Sequence, residues 1–372
     1  MRPVDQPELT SSGAANLKLG AIIGEGLRIS WSHYVGHSKG AKTKVATVGN
    51  FTQRAKNARL ATTSRTNKEK AVQAKQDWRG SFAIPMTPFD EKDRIDEQVL
   101  RAEIEFCVES GVGGLVAPVM VSEFFVLSEE ERRQMIRITV NAAAGRVPVV
   151  ANCAGVNTPL AVSYARFAQE AGSDSLIAMP PYIGGRPDWE TIFQYYQAIS
   201  DAVSIPVWIQ NVGLAALSAD QVIRLCTEIE NVCWVKEEVD PSPRHIAALV
   251  KRNSPAIHGV MGGVGGRYLL TDHARGAKGC VNACQFCDIL QKIWRLLDEN
   301  HTDEAGDLFE RVLPGLVLEG LMGMAFAKEI MVRRGVFKDH RMRLTVHPLD
   351  ADDVREIDRV WERIQPYLIW KR

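Results

Sequence analysis

Three consecutive stretches decide the fold: Ile205-Pro-Val-Trp-Ile-Gln210, the segment Ser218 to Glu230, and Val232-Cys-Trp-Val-Lys236. The first and third are short apolar runs with almost no polar alternation. Strands of this kind are buried on both faces, which is the mark of a parallel sheet. The segment between them carries its apolar residues at helical spacing, with Ser218 as a cap. Strand, helix, strand in that order is the unit from which α/β folds are built.

The same unit recurs on both sides. Strands are expected at Ser81–Met86, Gly114–Val119, Val147–Asn152 and Ser175–Met179 before it, and at Ala256–Val260 and Gly279–Val281 after it. Helices are expected at Asp96–Ser110, Ser128–Ala144, Thr158–Ala171, Asp188–Val203, Ser242–Arg252 and near Arg267–Ala274. Ser128-Glu-Glu-Glu131 reads as a capping box. About eight such units suggest a closed (β/α)8 TIM barrel. An open doubly wound sheet is the competitor, but Pro85-Met-Thr-Pro88 after the first strand is not a glycine-rich phosphate loop. Helical patterns at Cys287–Asn300, Asp303–Leu313, Gly315–Gly335 and Ala351–Gln365 then form a C-terminal helical extension. The organisation expected is an arm over 1–77, the barrel over 78–300 and the extension over 301–372.

The chain has 372 residues, of which 45% are hydrophobic and 24% charged, so it can bury a large core without disulfide or metal staples. Lys+Arg and Asp+Glu are each 45, which argues against nucleic acid or an anionic membrane as main partner. No apolar run reaches the ~20 residues of a membrane span. The seven cysteines are an odd number in mostly apolar surroundings, a pattern that suits a reducing cytoplasm. The charge balance hides an asymmetry. Residues 1–77 hold 13 Lys+Arg against 5 Asp+Glu and few large apolar side chains. Such a composition cannot offset the entropy of ordering, and it reads as a basic, disordered arm, a floppy tail or a targeting segment.

In a (β/α)8 barrel the active site lies at the C-terminal ends of the strands. Lys236 ends the apolar run of the sixth strand and should project into the barrel mouth. A desolvated lysine loses its proton more readily, and a neutral amine attacks carbonyls to form Schiff bases. A structural ion pair with Glu237 or Glu238 explains the position equally well.

Several motifs occur in order over residues 80–368. They are Ala83-Ile-Pro-Met-Thr-Pro-Phe89, Ser122-Glu123 ahead of Leu127-Ser-Glu-Glu130, Gly145-Arg-Val-Pro-Val149, Met179-Pro-Pro-Tyr182, Ile205-Pro-Val207 and Val235-Lys236-Glu237. In these the chain resembles the dihydrodipicolinate synthase / N-acetylneuraminate lyase family of class I aldolases and dehydratases. The resemblance implies a (β/α)8 barrel with a C-terminal helical extension, commonly a homotetramer, in which Lys236 forms the Schiff base with a small 2-oxo acid. No cofactor or metal is implied. The loop Gly259–Gly266, with Gly262 and Gly263, is expected to border the substrate pocket.

Two departures from the family pattern redirect the chemistry. Gln210 stands where most members carry a proton-shuttling tyrosine, and glutamine neither donates nor accepts a proton near pH 7. The loop Val119-Met-Val-Ser-Glu123 replaces a Gly-Thr-Thr-Gly-Glu loop, which leaves the backbone at Val121 and Ser122 to hold a carboxylate. Together with Met179-Pro-Pro-Tyr182 and Lys236-Glu-Glu238, these features are similar to the L-2-keto-3-deoxyarabonate dehydratase branch. That likeness implies dehydration of a 2-keto-3-deoxy sugar acid, giving 2-oxoglutarate semialdehyde. Glu123 and Glu238 are then the acid–base candidates, and Ser122, Tyr182, Gln210 and Asn211 hold the substrate. The alternatives are a pyruvate-dependent aldolase whose pocket is lined by Phe124, Phe125, Trp208 and Trp234, and a catalytically impaired sugar-acid-binding homologue.

Cys280-Val-Asn-Ala-Cys284-Gln-Phe-Cys287 has the C-x3-C-x2-C spacing of an iron–sulfur site. It falls on the eighth strand with only helices after it, whereas a cluster-binding barrel opens with that motif. Buried packing is the expected role. A chain beginning at Asp77 is expected to melt at the same temperature as the full chain and to keep its activity. A destabilised or inactive truncation would show that the arm packs against the folded part or a neighbouring subunit.

Overall fold

The computed structural model describes residues 77–181, 185, 187–345 and 348–371. The arm expected over 1–77 lies outside the described residues except for Asp77, whose carboxylate pairs with Lys278 at 3.2 Å.

Eight strands close into an all-parallel barrel in sequential order. They are β1 (Gly80–Ile84), β2 (Gly114–Ala117), β3 (Val149–Asn152), β4 (Ser175–Ala178), β5 (Val207–Asn211), β6 (Val232–Glu237), β7 (Gly259–Gly262) and β8 (Gly279–Ala283). Between them run α1 (Glu97–Glu109), α2 (Glu129–Ala143), α3 (Thr158–Glu170), α4 (Trp189–Ala202), α5 (Ala219–Glu228), α6 (Ser242–Lys251) and α7 (Leu269–Ala274). After β8, α8 (Cys287–Asp298) is the eighth barrel helix, and the extension follows as α9 (Thr302–Met322), α10 (Met324–Arg333) and α11 (Ala351–Ile364). Every strand residue is buried, as the unalternating apolar runs require. The helices start where side-chain caps satisfy their free N–H groups: Asp96, Asn157, Asp188 and Ser218 each accept from the first turn. Ser128 and Glu131 close the expected capping box.

The barrel is plugged at its N-terminal end by aromatic rings. Trp208 and Trp234, paired across β5 and β6, stack with centroids 5.1 Å apart and planes 17° apart. Trp78 lies over both, at 5.7 and 5.3 Å, and Phe82 adds a fourth ring. β7 begins at Gly259 rather than at Ala256, because Ala256 lies in a turn that the Ile257 N–H closes on Ser254 O at 3.1 Å. Gly259 pairs with Trp234, and a Cβ there would sit 2.2 Å from the Trp234 ring. Only glycine admits strand pairing beside that indole.

Two expected helices, Asp303–Leu313 and Gly315–Gly335, are placed differently. The first runs through Pro314 as α9 and ends at Gly323, which has φ 64°. Proline forfeits one backbone hydrogen bond, but the apolar stripe from Leu308 to Met322 stays buried and keeps the helix continuous. Glycine alone tolerates the left-handed turn that separates α9 from α10.

The C-terminal tail is anchored by a buried ion pair, Arg334 with Asp288 at 2.8 Å. Asp288 also accepts from the backbone of Ile369 and Trp370, both at 3.0 Å. No helix among the described residues is long and apolar enough to cross a membrane. Trp234→Ala is expected to cost about 3–5 kcal/mol, as for other large buried aromatics. Denaturant unfolding of the variant checks this, and a loss below about 1 kcal/mol would mean that the aromatic plug does not stabilise the barrel.

Candidate active site

The pairing of β5 with β6 sets the site. Gln210 lies opposite Lys236, and Asn211 opposite Glu237. Because side chains alternate across a strand, the first pair follows Trp208 and Trp234 into the barrel and the second pair points outside. Lys236 is 3% exposed, and its Nζ lies 3.0 Å from Glu238 Oε2. Gln210 Nε2 donates to the same oxygen at 2.8 Å. The other oxygen, Oε1, accepts from the backbone N–H of Val264 at 3.3 Å. Gly263 makes room for this carboxylate, since a Cβ there would lie 2.4 Å from Glu238 Cγ.

These groups face a cavity of about 130 Å³. Its lining includes Ile84, Val119, Met120, Val121, Gln210, Val212, Lys236, Glu238, Gly265 and Glu319. A neighbouring space of about 270 Å³ shares Val121, Gly265 and Glu319 and extends to Arg267 and Gly323. At ~30 Å³ per water, the inner space takes about four waters or a small oxo acid.

The sequence-derived candidates divide. Lys236, Glu238, Gln210 and Val121 come together at the cavity. Gly263 supports it from behind Glu238, whereas Gly262 faces away, toward Asp272. Asn211 lies on the outer face, and its amide is consumed by the Leu217 backbone at 2.8 and 3.0 Å and by Glu237 at 2.8 Å. Burial in that outer layer pushes the Glu237 carboxyl up to about 7. The Ser122 hydroxyl donates to Pro85 O at 2.6 Å and accepts from Val119 N at 3.2 Å, so it ties the loop to β1. Tyr182 lies outside the described residues.

Glu123 is also absent from the cavity lining. It is fully buried, with φ 56°, and pairs with Lys328 at 2.5 Å. Lys328 donates in addition to Thr87 O at 2.8 Å and to Arg341 O at 2.6 Å. Burial pulls the Lys328 ammonium below the usual lysine range, and Glu123 opposes that shift. The arrangement joins the loops after β1 and β2 to α10. The aromatic pocket is not formed either. Trp208 and Trp234 belong to the barrel plug, Phe124 packs under Arg132, and Phe125 is exposed.

Glu319 joins them from outside the barrel, on an extension that reads from sequence as an appendage. Its signal was a lone acid inside the apolar run Leu316-Val-Leu-Glu-Gly-Leu-Met322. It is half-buried beside the cavity, and burial pushes its carboxyl up to about 7, although Gln285, which donates to it at 2.6 Å, and Arg267 oppose that shift.

The three cysteines with cluster-like spacing separate in space. Cys284 and Cys287 lie against Cys107, and Cys284 reaches Glu103 at 3.0 Å. Cys280 instead faces Asn282 at 3.4 Å. No group of three or more His, Cys, Asp or Glu side chains able to hold a metal occurs among the described residues.

Residues 77–363 match the model of the dihydrodipicolinate synthetase family. The chain belongs to that family. Its members are lyases. Among its relatives is an L-2-keto-3-deoxyarabonate dehydratase from Azospirillum brasilense, 29% identical over 296 residues, which cover 78% of this chain and 96% of that protein. A 4-hydroxy-tetrahydrodipicolinate synthase from Aromatoleum aromaticum is 37% identical over 161 residues, 42% of this chain and 54% of the relative. Solved structures share the fold. The 4-hydroxy-tetrahydrodipicolinate synthase of Methylacidiphilum fumariolicum SolV superposes with TM-score 0.72 at 23% identity, over 77% of this chain and 96% of that one. YagE of E. coli K12, solved in complex with pyruvate, gives TM-score 0.73 at 20% identity, over 77% and 99%.

Lys328→Met is expected to destabilise the chain by about 3–5 kcal/mol, because it leaves the Glu123 charge buried and unpaired. Combining it with Glu123→Gln should recover most of that loss in denaturant unfolding. A double variant no more stable than the single one would refute the pairing account.

Proposed function

We propose that this lyase forms a Schiff base through Lys236 and dehydrates a 2-keto-3-deoxy sugar acid to 2-oxoglutarate semialdehyde. The observation that carries the reading is the pairing of Gln210 with Glu238 opposite Lys236. A proton-transferring carboxylate lies beside the amine, held there by an amide that transfers no proton. The relative from Azospirillum brasilense, whose match covers 78% of this chain, is named an L-2-keto-3-deoxyarabonate dehydratase, which supports dehydration of such a substrate.

The chemistry follows from the positions. Glu238 takes a proton from the ammonium, neutral Lys236 attacks the C2 carbonyl, and Glu238 returns that proton to the carbinolamine hydroxyl, which leaves as water and restores the carboxylate. The iminium acidifies C3. Glu238, 3.0 Å from the nitrogen, reaches a proton on the adjacent carbon. The enamine then expels the C4 hydroxyl as water and leaves a conjugated iminium. Loss of a C5 proton and protonation at C3 turn it into the enol of the C5 aldehyde, which ketonises, and hydrolysis of the iminium then releases 2-oxoglutarate semialdehyde from the lysine. Aldol cleavage would instead require a base at the C4 hydroxyl. The inner cavity suits the oxo-acid end of a substrate, and the adjoining space suits its hydroxylated carbons. Backbone groups near Val121 hold the carboxylate. A homotetramer in the cytoplasm, with no nucleic acid or membrane partner, completes the proposal.

Borohydride reduction with pyruvate or with 2-keto-3-deoxy-L-arabonate should modify Lys236 in a mass map, and Lys236→Ala should abolish both trapping and turnover. Trapping that survives in the variant would overturn the assignment. With 2-keto-3-deoxy-L-arabonate the product should be 2-oxoglutarate semialdehyde. Stoichiometric pyruvate with an aldehyde fragment would favour the aldolase reading instead.

A further inference from the structure

Two carboxyl groups border the inner cavity, and they sit in different surroundings. Glu238 comes from the barrel and accepts hydrogen bonds from Lys236 and Gln210. Glu319 comes from α9 of the extension, reaches the cavity beside Gly265, and belongs to the walls of both the inner and the adjoining space. A carboxylate held by an ammonium and an amide is set up to accept protons. A carboxyl with one neutral amide as hydrogen-bond partner, half-buried between α9 and the loop after β7, is set up to carry one. Elimination of water needs both a base at C3–H and an acid at the C4 oxygen.

We propose that Glu319 is the general acid of the dehydration, donating its proton to the departing C4 hydroxyl. The proposal rests on the dehydratase reading above. In the step, the C4–O bond breaks as the enamine electrons form the C3=C4 bond, and the proton from Glu319 completes the leaving water. Glu319 is left as a carboxylate and is reprotonated from solvent after product release. Gln285 Nε2, 2.6 Å from Oε2, fixes the carboxyl beside Gly265 at the cavity wall.

The surroundings agree with this role. Burial holds the carboxyl neutral up to about 7. The charged groups that face it are Arg267 on the loop after β7, which favours ionisation, and Lys236 and Glu238 at the same cavity. Gln285, on the turn after β8, is uncharged. A group neutral below about pH 7 donates below that pH and fails above it, so turnover should fall as pH rises through that value.

The test uses the full chain with 2-keto-3-deoxy-L-arabonate and with its 4-fluoro analogue, whose leaving group needs no proton. E319Q should lower kcat for water loss by about 10²–10⁴. It should leave borohydride trapping and C3 deuterium exchange within a few-fold, and it should expel fluoride at nearly the wild-type rate. The wild-type kcat should decline above about pH 7 for the hydroxyl substrate and not for the fluoro analogue. Water loss by E319Q within threefold of wild type would overturn the proposal, as would equal slowing of both substrates. If E319Q does not fold, the wild-type comparison decides, because one pH profile shared by both substrates excludes an acid at the leaving group. Should wild type yield pyruvate and an aldehyde fragment, the dehydratase reading itself fails and the role of Glu319 falls with it. If wild type dehydrates and only the Glu319 results fail, the role alone is wrong.

Discussion

Lys236 is held inside the barrel by a two-residue alternation that cannot slip. A shift of one residue along β6 would send Trp234 and Lys236 out among the helices and bring Glu237 in. The stacked indoles of Trp208 and Trp234 resist that, because they fill the barrel floor together with Phe82 and Trp78. With the floor closed by rings, polar side chains on these two strands are left only the last inward positions. Those positions are Gln210 and Lys236.

The consequences reach the surrounding shells. An ammonium so far from bulk water needs a partner, and Glu238 supplies it just past the end of β6. Glu238 in turn needs space, which the missing side chain of Gly263 provides. The outward pair, Asn211 and Glu237, must satisfy its polar groups within the helical layer and does so mutually and through Leu217. Residues adjacent in sequence therefore do opposite jobs. One of each pair serves the cavity, and the other joins strand to helix.

The extension is part of the site rather than an appendage. Lys328 on α10 neutralises Glu123 and binds the carbonyls of Thr87 and Arg341, so the loops over the barrel mouth are fastened from above. Glu319 on α9 forms one wall of the cavity. The extension thus supplies one wall of the cavity and the counter-ion of the buried Glu123.

The barrel itself was legible from sequence. Eight apolar runs separated by amphipathic helices admit few other solutions, and Val232-Cys-Trp-Val235 pointed to Lys236 as its inward end. Gln210, Glu238 and Val121 were legible for the same local reason, since each sits at or just past a strand end. Asn211, Ser122 and Glu123 share that position, yet the folded chain uses them internally. Strand parity turns Asn211 outward, a carbonyl 37 residues away in sequence takes the Ser122 hydroxyl, and a lysine on a distant helix takes Glu123. Glu319 shows the converse. Its helix reads as packing, and only the closing of α9 over the barrel mouth brings its carboxyl to the cavity. Local pattern fixes which residues can reach a strand end, because the period of a strand is a property of its own backbone. Which of them remain free for a substrate depends on partners that are remote in sequence, and those meet only when the chain has folded.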